Sequence, residues 1–215
     1  MSETGDARPG AERARVAGTA KPSARGRQAA TVVLVREDGL VYWVKRARKT
    51  SFLAGFHVFP GGVVDAEDPS VAAVAVRELR EETDVTLAPE ALVPAGRFLT
   101  PPFAPIALDT HVFLARAPRG SNPHVTDGPE LESGEWIAPA AALSRWRADD
   151  VILAAPTRLA LEALAATPGP SARDEWLAHA SAALGARCPA PGACRSFGPH
   201  SRASRSHRPR SAAAS

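Results

Sequence analysis

GGVVDAEDPSVAAVAVRELREETDV, Gly61 to Val85, decides the reading of this chain. Its two glycines release the backbone for an irregular turn. A short polar loop follows, in which Asp68 is the expected N-cap of a helix and Pro69 its first residue. Val71, Ala75, Val76 and Leu79 then recur at helical spacing as far as Glu82. On that helix Glu78, Glu81 and Glu82 stand at i, i+3 and i+4, so three carboxylates share one face and repel one another. Such a cluster calls for a cation. Arg77 and Arg80 flank it, and a hard divalent ion such as Mg²⁺, which takes oxygen ligands and keeps several waters, suits it better than zinc because no His or Cys is near. Taken alone, RELREE also fits a solvated acidic helix face laced with i,i+4 ion pairs.

Working outward, Ala29 to Val35 (AATVVLV) is a short β-branched run ending in the turn signal Glu37-Asp38-Gly39, and Leu40 to Arg46 (LVYWVKR) reads as its hairpin partner. Phe56 to Gly62 reads as one short strand broken by Pro60 and the glycines. Beyond the acidic helix, Gly96 to Pro105 and Leu108 to Ala117 read as strands around a proline-rich bend, and GEWIAP adds another. Three helices, Pro139 to Ala148, Pro156 to Ala166 and Ala172 to Gly185, complete the order. Strands interleaved with helices around a mixed sheet give an α/β (α+β) class.

The net charge of +3 divides unevenly. Residues 1–28 carry +3 and residues 187–215 carry +6, which leaves −6 on residues 29–186. The basic ends are rich in Ala, Ser, Gly, Pro and Arg without apolar periodicity, so they are expected to be disordered tails, and 29–186 the folded domain. The basic charge therefore carries little weight for a nucleic-acid partner. No apolar run approaches membrane-span length and no apolar core follows the basic N-terminal residues, so a cytoplasmic protein without a membrane partner is expected. Cys188 and Cys194 stand outside the patterned region and form no disulfide framework for it.

The glycine turn and the acidic helix together resemble the Nudix box, Gly-x5-Glu-x7-Arg-Glu-U-x-Glu-Glu-x-Gly-U with U apolar. Arg77, Glu78, Leu79, Glu81, Glu82 and Val85 occupy matching positions. Three positions depart from the pattern. Fourteen residues separate Gly62 from Arg77 where the pattern has thirteen, the loop glutamate falls on Pro69 beside Glu67 and Asp68, and the closing glycine is Asp84. Asp tolerates a left-handed helix end at a cost of roughly 1 kcal/mol. The resemblance implies a Nudix-type α/β/α sandwich that hydrolyses a diphosphate linked to a nucleoside-type group. It also implies Mg²⁺ or Mn²⁺ held by Glu78, Glu81, Glu82 and a backbone carbonyl of Gly61 or Gly62. Arg77 would hold the carboxylates in place, and Glu78 would serve as a third ligand or orient the water.

Upstream, Arg46 to Gly62 (RARKTSFLAGFHVFPGG) resembles the signature of coenzyme A diphosphatases, with Arg46, Ala47, Gly55 and Phe59 to Gly62 in register and Ser51 in place of a second arginine. The likeness covers about residues 29–166. It implies Arg46, Gly55 and Phe59 at the substrate, and coenzyme A or an acyl derivative as that substrate, giving 3′,5′-ADP and 4′-phosphopantetheine. ADP-ribose is the alternative: Pro101, sixteen residues after Val85, resembles a proline of that group, and the same TPP stretch also fits the coenzyme A-like branch. A Nudix-like binding module without catalysis is the alternative of a different class, and a homodimer is compatible with the sequence. The general base is expected either on the helix or among Glu130 and Glu132, with Glu132 preferred. Arg48 and Lys49 extend the basic loop that begins at Arg46. His57 and His111, and Trp43, Trp136, Trp146 and Trp176, are expected to pack rather than to bind ligands.

Overall fold

The computed structural model describes residues 26–100, 106–167 and 175–187. The sheet is organised around the β-branched run, β1 (Arg27–Val35). The other strands are β2 (Val41–Arg46), β3 (Phe56–Val58), β4 (Gly61–Val63), β5 (Val93–Leu99), β6 (Leu108–Arg116), β7 (Leu131–Ile137) and β8 (Ile152–Leu153). The helices are α1 (Val71–Thr83), α2 (Pro139–Arg147), α3 (Ala155–Ala166) and α4 (Glu175–Arg187). The main strand path runs β5-β6-β1-β2-β3-β8, with β4 on β1 and β7 on β2.

One edge of β1 pairs in parallel with the whole of β6, from Arg27↔Leu108 to Val35↔Arg116. The other is divided: β4 takes Ala29, Ala30 and Thr31, whereas β2 takes only Leu34 and Val35. The expected hairpin is therefore real but short. Between the two partners, Val32 N–H donates to the Pro60 carbonyl at 2.9 Å, so the chain that leaves β3 is bonded into the fork. The segment expected as one strand, Phe56 to Gly62, is accordingly two strands on different partners. Proline supplies no ladder donor at position 60, which lets the chain change partner there.

Alternation along β1 and β2 divides the core into two layers. Ala30, Val32, Leu34, Tyr42 and Val44 face α1, where Val74, Ala75 and Leu79 close the layer. Val33, Val35, Val41 and Trp43 face the other way, against α2, α3 and α4 through Leu143, Leu161, Leu164, Leu177 and Leu184. Each fully buried Leu or Val contributes roughly 1.5–3 kcal/mol. Because both faces are covered, the α/β/α sandwich around a mixed sheet is observed.

Three local features depart from expectation. Helix α1 begins two residues late: Ser70, not Asp68, is its N-cap, with the Ser70 hydroxyl accepting from Ala73 N–H. Asp68 is instead engaged with Arg77, a stronger charge-assisted contact than a cap. A 3₁₀ turn at Pro89–Ala91 and the two-residue β8, too short to be distinguished by periodicity, also went unforeseen. The tail boundaries shift slightly, since residues 27–28 belong to β1 and Arg187 to α4; residues 1–25 and 188–215 lie outside the described residues. No helix among the described residues is long and apolar enough to cross a membrane.

Asp84 closes α1 in the left-handed region, φ 58° and ψ 19°, and its N–H donates to the Arg80 carbonyl. Its side chain is exposed, so Asp84→Gly should remove the steric penalty and lose nothing else. After allowance for the greater freedom of glycine in the unfolded chain, a gain of about 0.5–1 kcal/mol is expected in denaturant unfolding. A loss would show that the Asp84 side chain contributes to the cap.

Candidate active site

The site begins where β4 runs under α1. Gly61 has φ +156°, and a Cβ there would stand 2.2 Å from the Ala30 carbonyl oxygen, so only glycine lets β4 approach β1 this closely. A Cβ on Gly62 would stand 2.1 Å from Glu78 Oε1, so the second glycine makes room for a carboxylate. The turn is clamped from β1, because Thr31 Oγ1 donates to the Pro60 carbonyl at 2.9 Å and to the Phe59 carbonyl at 3.2 Å. From above, Gly61 N–H donates to Glu82 Oε2 at 2.9 Å. Turn and helix thus meet through the residues that the sequence singles out.

Arg77 is shared among the acids. It forms a fork on Asp68, Nε to Oδ1 at 3.1 Å and Nη2 to Oδ2 at 2.9 Å, while Nη1 donates to Glu78 Oε1 at 2.9 Å and Glu81 Oε2 at 3.0 Å. The side chain of Asp68 is 8% exposed and also accepts from Asp65 N–H. Of the two acids beside Pro69, it is Asp68 that meets Arg77, whereas Glu67 is exposed. These contacts hold the Asp68 carboxyl below its ordinary range, first through the Arg77 hydrogen bonds, and push the Arg77 guanidinium upward.

Glu82 is the most perturbed group. Burial pushes its carboxyl up to about 8; the Gly61 N–H and Arg46 pull it down, whereas Glu78 and Glu130 push it further up. Glu78 is raised as well, mainly by burial and against the pull of Arg77. In this arrangement Arg77 is the cation that the cluster meets, and among the described residues no three acids or histidines converge as a finished cage. The donor set nevertheless fits a hard divalent ion. It is all oxygen, and it joins a half-buried carboxylate with one backbone donor to a second carboxylate, Glu78, that the missing side chain of Gly62 admits.

The remaining expected residues separate by sheet face. Arg46 is tied to the Phe52 carbonyl through Nε at 3.0 Å and to Glu130 Oε2 through Nη2 at 3.1 Å. With Lys49, Thr50, Ser51, Pro129 and Glu130 it lines an open cleft of about 420 Å³. Gly55 has φ +76° and its N–H donates to the Arg46 carbonyl, so it turns back the loop that follows Arg46 at the end of β2. Phe59, expected at the substrate, is 5% exposed and packs in the core layer of α2 to α4.

Glu132, preferred from the sequence as the base, is bound to Lys45 Nζ at 2.7 Å, and that cation is the first cause of its lowered pKa. Alternation places Lys45 on the Trp43 face, away from α1. Glu130 is the acid that acts on Glu82. The candidates lie two positions apart, and the register shift at Lys45/Arg46, which leaves Glu132 unpaired between Leu131 and Ser133, interrupts the alternation that would otherwise put them on one face.

His57 is buried against Trp43, 4.4 Å between ring centroids, as a packing residue. Trp43 is in the core; Trp136 packs edge-on to Tyr42 with Arg36 over its other side. Pro101, Cys188, Cys194 and the Trp176 side chain lie outside the described residues.

A family model described as the NUDIX domain matches residues 25–155. Among solved structures, a NUDIX hydrolase from Alicyclobacillus acidocaldarius is similar at 28% identity and TM-score 0.59, over 67% of this chain and 93% of that one. A MutT NUDIX hydrolase from Burkholderia pseudomallei is similar at 28% identity and TM-score 0.51, over 63% of this chain and 95% of that one. The NUDIX domain of Shewanella oneidensis NrtR, complexed with ADP ribose, shares the fold at 18% identity and TM-score 0.52, over 64% of this chain and 84% of that one. No curated protein matches.

The burial of Glu82 sets a pH dependence for the metal-free chain. Its folded pKa, about 8, lies above the ordinary 4.5, so the folded state keeps a proton that the unfolded chain has released, and stability falls as pH rises through that interval. Glu78 shifts in the same direction, and the lowered groups, His57 included, act below about pH 6.5. With EDTA present, the thermal midpoint should drop from pH 6.5 to pH 8, and Glu82→Gln should flatten the slope. A midpoint that rises over that window would contradict the burial of Glu82.

Proposed function

The chain belongs to the NUDIX domain family and is a hydrolase of the pyrophosphatase type, and from that premise we propose that it cleaves the phosphoanhydride of a nucleoside diphosphate derivative with Mg²⁺ or Mn²⁺. The observation that carries this is the meeting of Glu82 with the Gly61 turn. A half-buried carboxylate, with Glu78 and Glu81 on the same helix face, is held against the glycine turn, where the missing side chain of Gly62 lets the Glu78 carboxylate come in beside it. An ordinary acidic surface helix has no reason to bury such a group unpaired.

Glu82 and Glu81 would be the first ligands, with Glu78 and the carbonyl of Gly61 or Gly62 beside them. When bound, the metal supplies neutralisation of phosphate charge and a water of lowered pKa. The protein's own part is positioning. Arg77, anchored on Asp68, spaces Glu78 and Glu81. Glu130 accepts the proton of the attacking water, whose oxygen bonds to phosphorus as the bond from phosphorus to the bridging oxygen breaks. Arg46 steers the Glu130 carboxylate. This replaces Glu132, which Lys45 holds on the other sheet face.

Within this class we favour coenzyme A or an acyl-coenzyme A, split to 3′,5′-ADP and the phosphopantetheine part. The support is the upstream signature together with the cleft, in which Arg46 and Lys49 offer cations to additional phosphate and Ser51 stands at the replaced arginine. A small nucleotide substrate and the absence of a membrane-length helix among the described residues accord with a cytoplasmic setting.

The test is hydrolysis by the purified chain of coenzyme A, acetyl-coenzyme A, ADP-ribose, NADH and diadenosine tetraphosphate with Mg²⁺ or Mn²⁺, products being identified by mass. Release of 3′,5′-ADP supports the proposal in full, and turnover of ADP-ribose alone moves the substrate. Glu82→Gln should fold and lower kcat at least about 100-fold. Unchanged turnover in that variant removes Glu82 from the metal site.

A further inference from the structure

Helix α1 leaves its last four carbonyls without helical partners, and these belong to Arg80, Glu81, Glu82 and Thr83. All four are satisfied. Asp84 N–H takes Arg80, and the other three are taken by a segment distant in sequence, residues 117–130 between β6 and β7. His124 N–H donates to the Thr83 carbonyl at 3.3 Å and Thr126 N–H to the Glu82 carbonyl at 3.2 Å, while the Thr126 hydroxyl donates to the Glu81 carbonyl. Pro123 is buried and Val125 packs on the core layer of α1, so this contact is a docked surface rather than a passing touch.

The segment runs from this dock directly to Glu130, whose charge acts on Glu82. Four positions after Thr126, the Glu130 carbonyl accepts from Ala47 N–H at 2.8 Å and the Glu130 carboxylate meets Arg46. One end is thus fixed to the backbone of Glu81 and Glu82 and the other to Arg46 and Ala47 at the end of β2. We propose that Thr126 is a positioning residue. By holding residues 123–130 on the last turn of α1, it sets the reach of Glu130 over Glu81 and Glu82, so that the proton acceptor and the metal ligands are placed by one contact. This rests on the assignment of Glu130 as proton acceptor in the proposed function.

A threonine fits because two donors are needed at one residue. The N–H serves Glu82 and the hydroxyl serves Glu81, so the side chain must be short and carry a donor. Thr126→Val keeps the N–H, the shape and the branching but removes the hydroxyl donor; Thr126→Ser keeps the donor.

The experiment compares Thr126→Val, Thr126→Ser, Glu130→Gln and the Thr126→Val/Glu130→Gln pair by kcat, KM and Mn²⁺ binding. Thr126→Val should lower kcat about 10-fold or more with KM and Mn²⁺ affinity changed less than about threefold, and Thr126→Ser should restore most of the rate. In the Glu130→Gln background the valine substitution should cost less than about twofold, since its effect passes through Glu130. Wild-type kcat in Thr126→Val, a full additional loss in the double variant, or wild-type kcat in Glu130→Gln each overturns the proposal. If the unsubstituted chain hydrolyses none of the five substrates, the functional reading fails on its own. Amide hydrogen exchange still decides the dock: faster exchange at Thr126 and Ala47 in Thr126→Val upholds it, and unchanged protection overturns it.

Discussion

Three glutamates within five helical residues repel one another, and the site is arranged to contain that repulsion. Arg77 is the central counter-charge, bound to Asp68 on one side and to Glu78 and Glu81 on the other. Glu82 makes no bond to it and is held by an N–H of the glycine turn, in a half-buried place that favours the protonated form. An isolated helix with this face would be destabilised by a few tenths of a kcal/mol per like pair. Here the helix is secured by Val74, Ala75 and Leu79 beneath it, so packing supplies the stability that the polar face withholds.

The fork in the sheet makes the arrangement feasible. Because β4 and β2 share one edge of β1, the chain between them must turn sharply next to α1, and Pro60, Gly61 and Gly62 form that turn. The Thr31 hydroxyl fixes it from beneath and Glu82 from above. The glycines are required for different reasons. Gly61 relieves a backbone collision and Gly62 a collision with a carboxylate, so only the second is tied to the chemistry.

Most of the helical half of the site is legible without coordinates, because helical periodicity is local: the spacing of Glu78, Glu81 and Glu82 places them on one face wherever the helix packs. Other positions depend on long-range contacts. Asp68 looks like an N-cap until Arg77 is brought within hydrogen-bonding distance, after which Ser70 takes the cap. Phe59 belongs to a motif associated with substrate, yet strand alternation sends its ring into the core. Thr126 bears no local sign at all. A threonine in a polar loop is ordinary, and its significance comes from orphan carbonyls more than forty residues away in the chain.

The sequence by itself determined the class of fold, the acidic helix, the glycine turn and the oxygen-rich character of the site, since each follows from composition and short-range spacing. Tertiary structure alone decided that Glu130 pairs with Arg46 and Glu132 with Lys45, that Asp68 pairs with Arg77, and that residues 123–126 dock on the end of α1. The physical reason is the period of the β-strand. A shift of one residue in register sends a side chain to the opposite face, and the register of β7 on β2 is fixed by pairing across the sheet, with its irregularity at Lys45/Arg46, not by anything local to PELESGEW.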